Sequence, residues 1–262
     1  MTTLLDVSLK VAKEVMDVIE GTATGGSTTT LADTVLLASF PNDHFNNGRL
    51  WIKSGAHAGE IYTVTDFTTT TGVVTFASVT GAIAAGVRYA IARNNYPWDQ
   101  IVSAIQRALD STWVTGIDST LEGDGETLEF TLPTGVYDVK RVEFEDTAQA
   151  NTGRRNSAHW RETSTGKLRF DYGYAPVDGY TIHVYYRDQH AELTDYSVVI
   201  SNEINVEWLK WAAAQELLWW GVSMYGQQVE YRIEERMNKV ITMLKGKTPR
   251  REPDIIIHTA GG

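Results

Sequence analysis

Several short groupings in this chain approach the spacing of known chemical sites, and each lacks a required part. Gly246-Lys247-Thr248 ends like a phosphate-binding loop, in which backbone N–H groups and a lysine cradle phosphates. The glycine needed five residues earlier is Ile241, and the preceding run reads as helix where a strand is required. Gly123-Asp124-Gly125-Glu126 opens like a dinucleotide fingerprint, but the sixth position is Leu128 and no strand–helix–strand context surrounds it. Gly221-Val222-Ser223-Met224-Tyr225 lacks the closing glycine of a nucleophile elbow and follows a helical pattern. The six histidines show no His-x-His or His-x-x-x-His spacing, and His190 with Glu192 supplies two ligands where a metal site needs more. Glu122, Asp124 and Glu126 could chelate calcium weakly, without the remaining spacing of a calcium loop. With no cysteine, thiol catalysis, disulfides and cysteine-held zinc or iron–sulfur centres are excluded. The expectation is a protein with no catalytic, cofactor or metal residues, and not an enzyme.

The elements that would position these residues alternate between two periodicities. Apolar residues at three- and four-residue steps predict helices over residues 3–20, Trp98–Trp113, Asn202–Trp220 and Gln228–Lys245. Between them lie two β-rich blocks. The first has candidate strands Val35–Ser39, Arg49–Lys53, Glu60–Asp66, Val73–Ala77 and Val87–Ala92, with Thr22–Thr30 a linker or irregular first strand. The second has Thr127–Leu132, Tyr137–Phe144, Ala158–Glu162, Lys167–Asp171 and Tyr180–Arg187. In that last strand Ile182, Val184 and Tyr186 alternate with Thr181, His183 and Tyr185. Trp208, Leu209, Trp211, Leu217, Leu218, Trp219 and Trp220 cover more than one face of the third helix. It is therefore either a central core helix or one that also meets a neighbouring subunit. The tail from Gly246 carries Pro249 and Pro253, the bases Lys247, Arg250 and Arg251, and an Ile255-Ile256-Ile257 triplet, and cannot continue as helix.

The net charge of −10 argues against a general nucleic-acid binder. Between Ile117 and Asp146 nine acids face only Lys140 and Arg141. They read either as solvated strand faces and loops or as a surface that repels passing phosphates. No apolar run is long enough to span a membrane. The first apolar residues are spaced as a helix face with Lys10 and Lys13 inside it, unlike a secretory signal.

Taken together the modules resemble the head–tail adaptor (head-completion or neck connector) proteins of tailed bacteriophages. The residues that carry the resemblance are an initial helix followed by Gly21-Thr22-Ala23-Thr24-Gly25-Gly26-Ser27-Thr28, then Asn47-Gly48-Arg49-Leu50-Trp51-Ile52 and Ala58-Gly59-Glu60. Val64-Thr65-Asp66-Phe67, Tyr96-Pro97-Trp98, Leu132-Pro133, Gly166-Lys167-Leu168-Arg169-Phe170 and the Ala212-Ala213-Ala214 helix follow. The resemblance implies a virion structural protein made in the host cytoplasm and placed at the head–tail interface. It would form a homo-oligomeric ring, a dodecamer by analogy, that docks on the portal protein and extends the DNA channel. Its further partner would be a neck, stopper or tail-terminator protein, and DNA would pass without specific binding.

The fold expected is α+β: a helical bundle core (1–21, 94–118 and 196–246) carrying a small β-barrel-like insertion (22–93), a β-sandwich-like insertion (119–195) and an extended arm (247–262). Expected roles are partner docking for Arg250, Arg251, Ile255, Ile256 and Ile257, subunit contact for Trp208, Trp211, Trp219 and Trp220, and channel lining for Glu122, Asp124 and Glu126. The competing function is a carbohydrate- or surface-binding accessory protein of a phage tail or baseplate, using Trp51, Trp160, Tyr172 and Tyr174.

Overall fold

A computed structural model describes residues 2–146, 155–157, 159–163, 166–195, 198–225 and 231–249. The chain divides into two compact units. One is the chain up to Thr112 together with the part from Ala191 onward; the other is Trp113–His190.

The first unit opens with β1 (Thr2–Thr3) and α1 (Leu4–Val15). Thr3 caps α1 in a reciprocal box: its hydroxyl accepts from the Asp6 N–H, and the Asp6 carboxylate accepts from the Thr3 N–H at 3.0 Å. The strands β2 (Val18–Thr22), β3 (Gly25–Gly26), β4 (Thr30–Ala32), β5 (Arg49–Ile52), β6 (Ile61–Thr68), β7 (Val73–Phe76) and β8 (Arg88–Ala92) follow. They form one seven-stranded antiparallel sheet in the order β2-β8-β5-β6-β7-β4-β3, curled into a half-barrel. Its concave side closes over Leu31, Phe45, Leu50, Ile52, Val64, Phe67, Val74 and Ile91. Phe45 and Phe67 meet edge to face at 5.0 Å. Trp51 lies between Leu50 and Ile52 on the alternate face and is fully buried as well, so the sheet is covered on both sides there. Inside the half-barrel the buried Tyr89 hydroxyl donates to Asp33 Oδ2 at 2.7 Å. A Cβ on Gly21 would sit 2.5 Å from the Tyr89 oxygen, which explains a side-chain-free residue in β2. The helix α2 (Trp98–Asp110) ends this part of the unit.

The second unit contains β9 (Val114–Glu122), β10 (Glu129–Thr131), β11 (Val139–Asp146), β12 (Arg155–Ser157), β13 (Trp160–Thr163), β14 (Lys167–Phe170) and β15 (Tyr180–Asp188). They make a four-stranded sheet β12-β11-β15-β9 and a three-stranded sheet β10-β14-β13, antiparallel throughout. Val142, Ile182 and Val184 from the first sheet pack with Leu168 and Phe170 from the second. That is the sandwich logic of two sheets each burying one face.

The chain then returns to the first unit through β16 (Val199–Ile200), which pairs with β1, followed by α3 (Val206–Tyr225) and α4 (Tyr231–Leu244). Here α3 contacts α1, α2 and α4. No helix among the described residues is long and apolar enough to cross a membrane.

The expectation of a helical bundle core is overturned. Among the described residues strand exceeds helix, 33% against 27%, and the strands form four sheets, one of them seven-stranded. The physical reason lies in where the apolar residues go. Each β block buries a core of its own and does not decorate the helices. Local corrections follow the same line. The first helix stops at Val15, and Ile19 belongs instead to β2, paired with Ile91. Val35–Ser39 is no strand. Asp33 Oδ1 accepts from the N–H groups of Val35 and Leu36 and turns the chain into a short 3₁₀ segment, Leu37–Ser39. Val114–Glu122, to which no element was assigned and whose first residues were grouped with the helical bundle, is a nine-residue strand.

Candidate functional site

Asn205 starts α3: its Oδ1 accepts from the N–H groups of Glu207 and Trp208 at 3.1 and 3.3 Å, satisfying two of the donors a helix N-terminus leaves open. A helix that is apolar around its circumference must be enclosed, and α3 is enclosed along most of its length. Leu209, Trp211, Ala213, Ala214, Leu217 and Leu218 are buried. The four tryptophans expected at a subunit contact separate accordingly. Trp211 is a core residue, 2% exposed, with Lys210 and Lys239 over its ring at 4.2 and 5.3 Å. Both lysines pair with Glu14 on α1, at 3.3 and 2.8 Å, so the cations that cover the indole also tie α3 and α4 to α1. Trp208 is half-buried. Trp220 is half-buried too, its ring 6.0 Å from that of Tyr96. Trp219 differs: it is 56% exposed, and Val222 and Met224 in the next turn are exposed with it. Residues three apart share a helix face, so Trp219 and Val222 make one outward apolar patch at the C-terminal end of α3.

The three acids expected to line a channel lie together at the end of β9. Glu122 is its last residue, and Asp124 and Glu126 occupy the turn that follows; all three are exposed. Asp124 also holds that turn together. Its Oδ1 accepts from the N–H groups of Glu126 and Thr127 at 3.0 and 2.7 Å, and its Oδ2 accepts from the Thr127 hydroxyl. These bonds, led by the Thr127 hydroxyl, favour the ionised carboxylate and hold its pKa down to about 2. Other acids of the same stretch are committed elsewhere. Glu129 pairs with Lys167 at 2.6 Å, Asp138 pairs with Lys140 and Arg187, and Glu143 accepts from Tyr185. The Lys167 ammonium lowers the Glu129 pKa, and Lys140 lowers that of Asp138. The acidic stretch is thus mostly paired strand surface, with Glu122, Asp124 and Glu126 exposed around one turn.

The aromatic residues of the competing carbohydrate reading also separate. Trp51 is fully buried and unavailable to a ligand. Trp160 is half-buried, its Nε1 donating to the Ser157 carbonyl at 3.0 Å. Tyr172 is 94% exposed, and Tyr174 stacks on His159 with ring centres 3.5 Å apart. Arg250, Arg251, Ile255, Ile256 and Ile257, expected to dock a partner, lie outside the described residues. Among the described residues no group of three His, Asp or Glu side chains is placed to hold a metal ion.

Sequence reasoning missed one arrangement entirely. Ser119 on β9, His183 on β15 and Glu145 on β11 form a continuous hydrogen-bonded row, with 2.7 Å at each step. The three are far apart in sequence, and the only available signal was the alternation that puts His183 on the polar side of its strand.

No protein-family model matches the chain, and no curated protein matches it.

Proposed function

We propose that this chain is a structural component of a tailed-phage virion. It would form a ring at the head–tail interface, docked between the portal and a neck or tail component and surrounding the path of the DNA. The observation that carries the reading is the outward patch of Trp219 and Val222 at the end of an otherwise enclosed helix. A large apolar side chain held in solvent on a rigid helix is a typical anchor for a protein contact, because burial gains area without new ordering. Closed rings need two different flanks on each subunit. The α3 patch would serve as one flank, and the β units would offer the second. The acids of the 122–126 turn would face the DNA path, where repulsion keeps phosphates from adhering.

Native mass spectrometry of the purified chain tests the reading, with Trp219→Glu as the disrupting variant. A closed oligomer that Trp219→Glu reduces to monomers supports it. A monomer at all concentrations, with and without the portal, rejects it. For the arm, a chain ending at Pro249 keeps the Pro249 carbonyl that accepts from the Asn205 N–H at 2.9 Å. It should fold unchanged yet fail to capture the portal or neighbouring neck protein. The carbohydrate reading draws support from Tyr172 and Tyr174, and retention of a monomer on a glycan array, lost in Tyr172→Ala, would favour it instead.

A further inference from the structure

The row Ser119–His183–Glu145 has the polarity of an activated serine, and we propose that Ser119 is a nucleophile able to take an acyl or phosphonyl group from an activated ester or fluorophosphonate. The inference is independent of the virion reading.

The sheet builds the row. β15 lies between β11 and β9, so His183 has a neighbouring strand on each side. On β11 its direct partner is Glu143, but that carboxylate accepts from the Tyr185 hydroxyl and pairs with Arg141 at 3.3 Å. The diagonal neighbour Glu145, on the same face two residues along, takes the imidazole instead. On β9 the register breaks at this point. Ile182 pairs with Leu121 and Val184 with Asp118, so Ser119 and Thr120 together stand opposite His183 alone. That is a β-bulge, a device that re-aims one side chain out of the regular alternation. Here it accompanies a Ser119 hydroxyl set 2.7 Å from His183 Nδ1.

The donors and acceptors then fix the proton. A carboxylate only accepts, so the N–H of a neutral imidazole sits on Nε2 and donates to Glu145. Nδ1 keeps its lone pair and accepts the Ser119 O–H. This is the state in which a histidine serves as general base to a serine, with a carboxylate to stabilise the imidazolium that forms. His183 is 4% exposed and Glu145 is half-buried, whereas Ser119 is exposed and reachable from solvent. Among the described residues, the charged and titratable groups on the strands around the ring are Glu143, Glu145 and Arg141 from β11, Tyr185 on its own strand, and Asp118 beside Ser119 on β9.

In the step proposed, Ser119 Oγ bonds to the electrophilic carbon or phosphorus while its proton passes to His183 Nδ1. The bond to the leaving group breaks with its electron pair, releasing phenolate or fluoride. The imidazolium then returns its proton to solvent. What the row supplies is nucleophile activation, so covalent capture is the claim, and Glu145 is a positioning residue.

The test treats the full chain with an alkyl fluorophosphonate and reads adducts by peptide mass spectrometry, beside a burst assay with p-nitrophenyl acetate. Expected is one adduct, on Ser119, formed at least about tenfold faster than at other exposed serines, together with a burst near one equivalent. Both should vanish in Ser119→Ala, an exposed position whose loss leaves the fold intact. The labelling rate should fall about tenfold or more in Glu145→Gln and recover in part in Glu145→Asp. A hydrogen-bond network with a structural role alone leaves Ser119 no more reactive than the exposed Ser78. That result, read on the folded wild-type chain, overturns the proposal even if the Glu145 variants fail to fold.

Discussion

Removing the Tyr89 hydroxyl tests how the seven-stranded sheet is held. Tyr89 is fully buried, Asp33 is 3% exposed, and the phenol donates to Asp33 Oδ2 at 2.7 Å. Asp33 Oδ1 meanwhile fixes the turn that leads into Leu37. Tyr89→Phe keeps the ring and its packing but strands one oxygen of a buried carboxylate. A hydrogen bond to a charged group contributes about 1.5–3 kcal/mol, and a partner left buried without one carries its full desolvation cost. The expected loss is therefore about 3 kcal/mol. With an m-value near 3 kcal/mol/M, the urea midpoint of this unit falls by about 1 M. Hydrogen exchange should locate the loss in β2, β4 and β8. The pH dependence gives a second readout. Burial, with the Asp33 hydrogen bond adding to it, raises the Tyr89 pKa above its ordinary 10.0. The phenol's contribution is therefore complete below about pH 10 and lost as pH climbs from there toward the folded-state value. Tyr89→Phe should abolish that alkaline loss. A midpoint within about 0.2 M of wild type, or an unchanged alkaline limb, would refute the reasoning.

Four further substitutions probe other parts. Trp211→Ala should destabilise the first unit by about 3–5 kcal/mol through cavity formation, whereas Trp219→Ala should cost less than about 0.5 kcal/mol of folding and act on self-association instead; paired thermal melts and sedimentation velocity separate the two. Asp124→Asn should speed hydrogen exchange at residues 126–127. Because the native carboxylate titrates at about 2 against an ordinary 3.8, its contribution is whole above about pH 4 and lost as pH falls toward 2. The variant should lack that acid-dependent component in a pH series of melts. In Gly116→Ala a Cβ would lie 2.5 Å from the Tyr186 ring, so the second unit should lose about 1–3 kcal/mol in denaturant titrations.

The strands of both β blocks were largely legible because their faces are unlike: buried residues alternate with polar ones, and turn residues separate the runs. Arg49–Ile52, Ile61–Thr68, Val73–Phe76, Arg88–Ala92 and Tyr180–Asp188 stand within about two residues of the spans expected. β9 was hidden by its own bulge, which breaks the period, and by Ile117, an apolar residue that stands half-exposed. Ile19 misled because a residue four beyond Val15 fits a helix face as well as it fits a short strand. The fold class failed on weight, not on elements. Helical periodicity says that a helix has a buried side, and says nothing about whether the neighbouring β blocks close cores of their own, as these do. Of the candidate site, the many-sided burial of α3 was legible, but which tryptophan faces outward was not. That depends on where Lys210, Lys239 and Tyr96 sit in space. The Ser119–His183–Glu145 row was invisible for the same reason: cross-strand neighbours are set by register, which a single sequence leaves open.

The central claim is that the chain works by occupying a place in a symmetric assembly. Electron microscopy of the purified chain mixed with portal rings tests it most directly. The account predicts closed rings of this chain stacked coaxially on the portal, lost on Trp219→Glu. Dispersed monomers beside bare portals, at concentrations where the portal itself stays assembled, would contradict it.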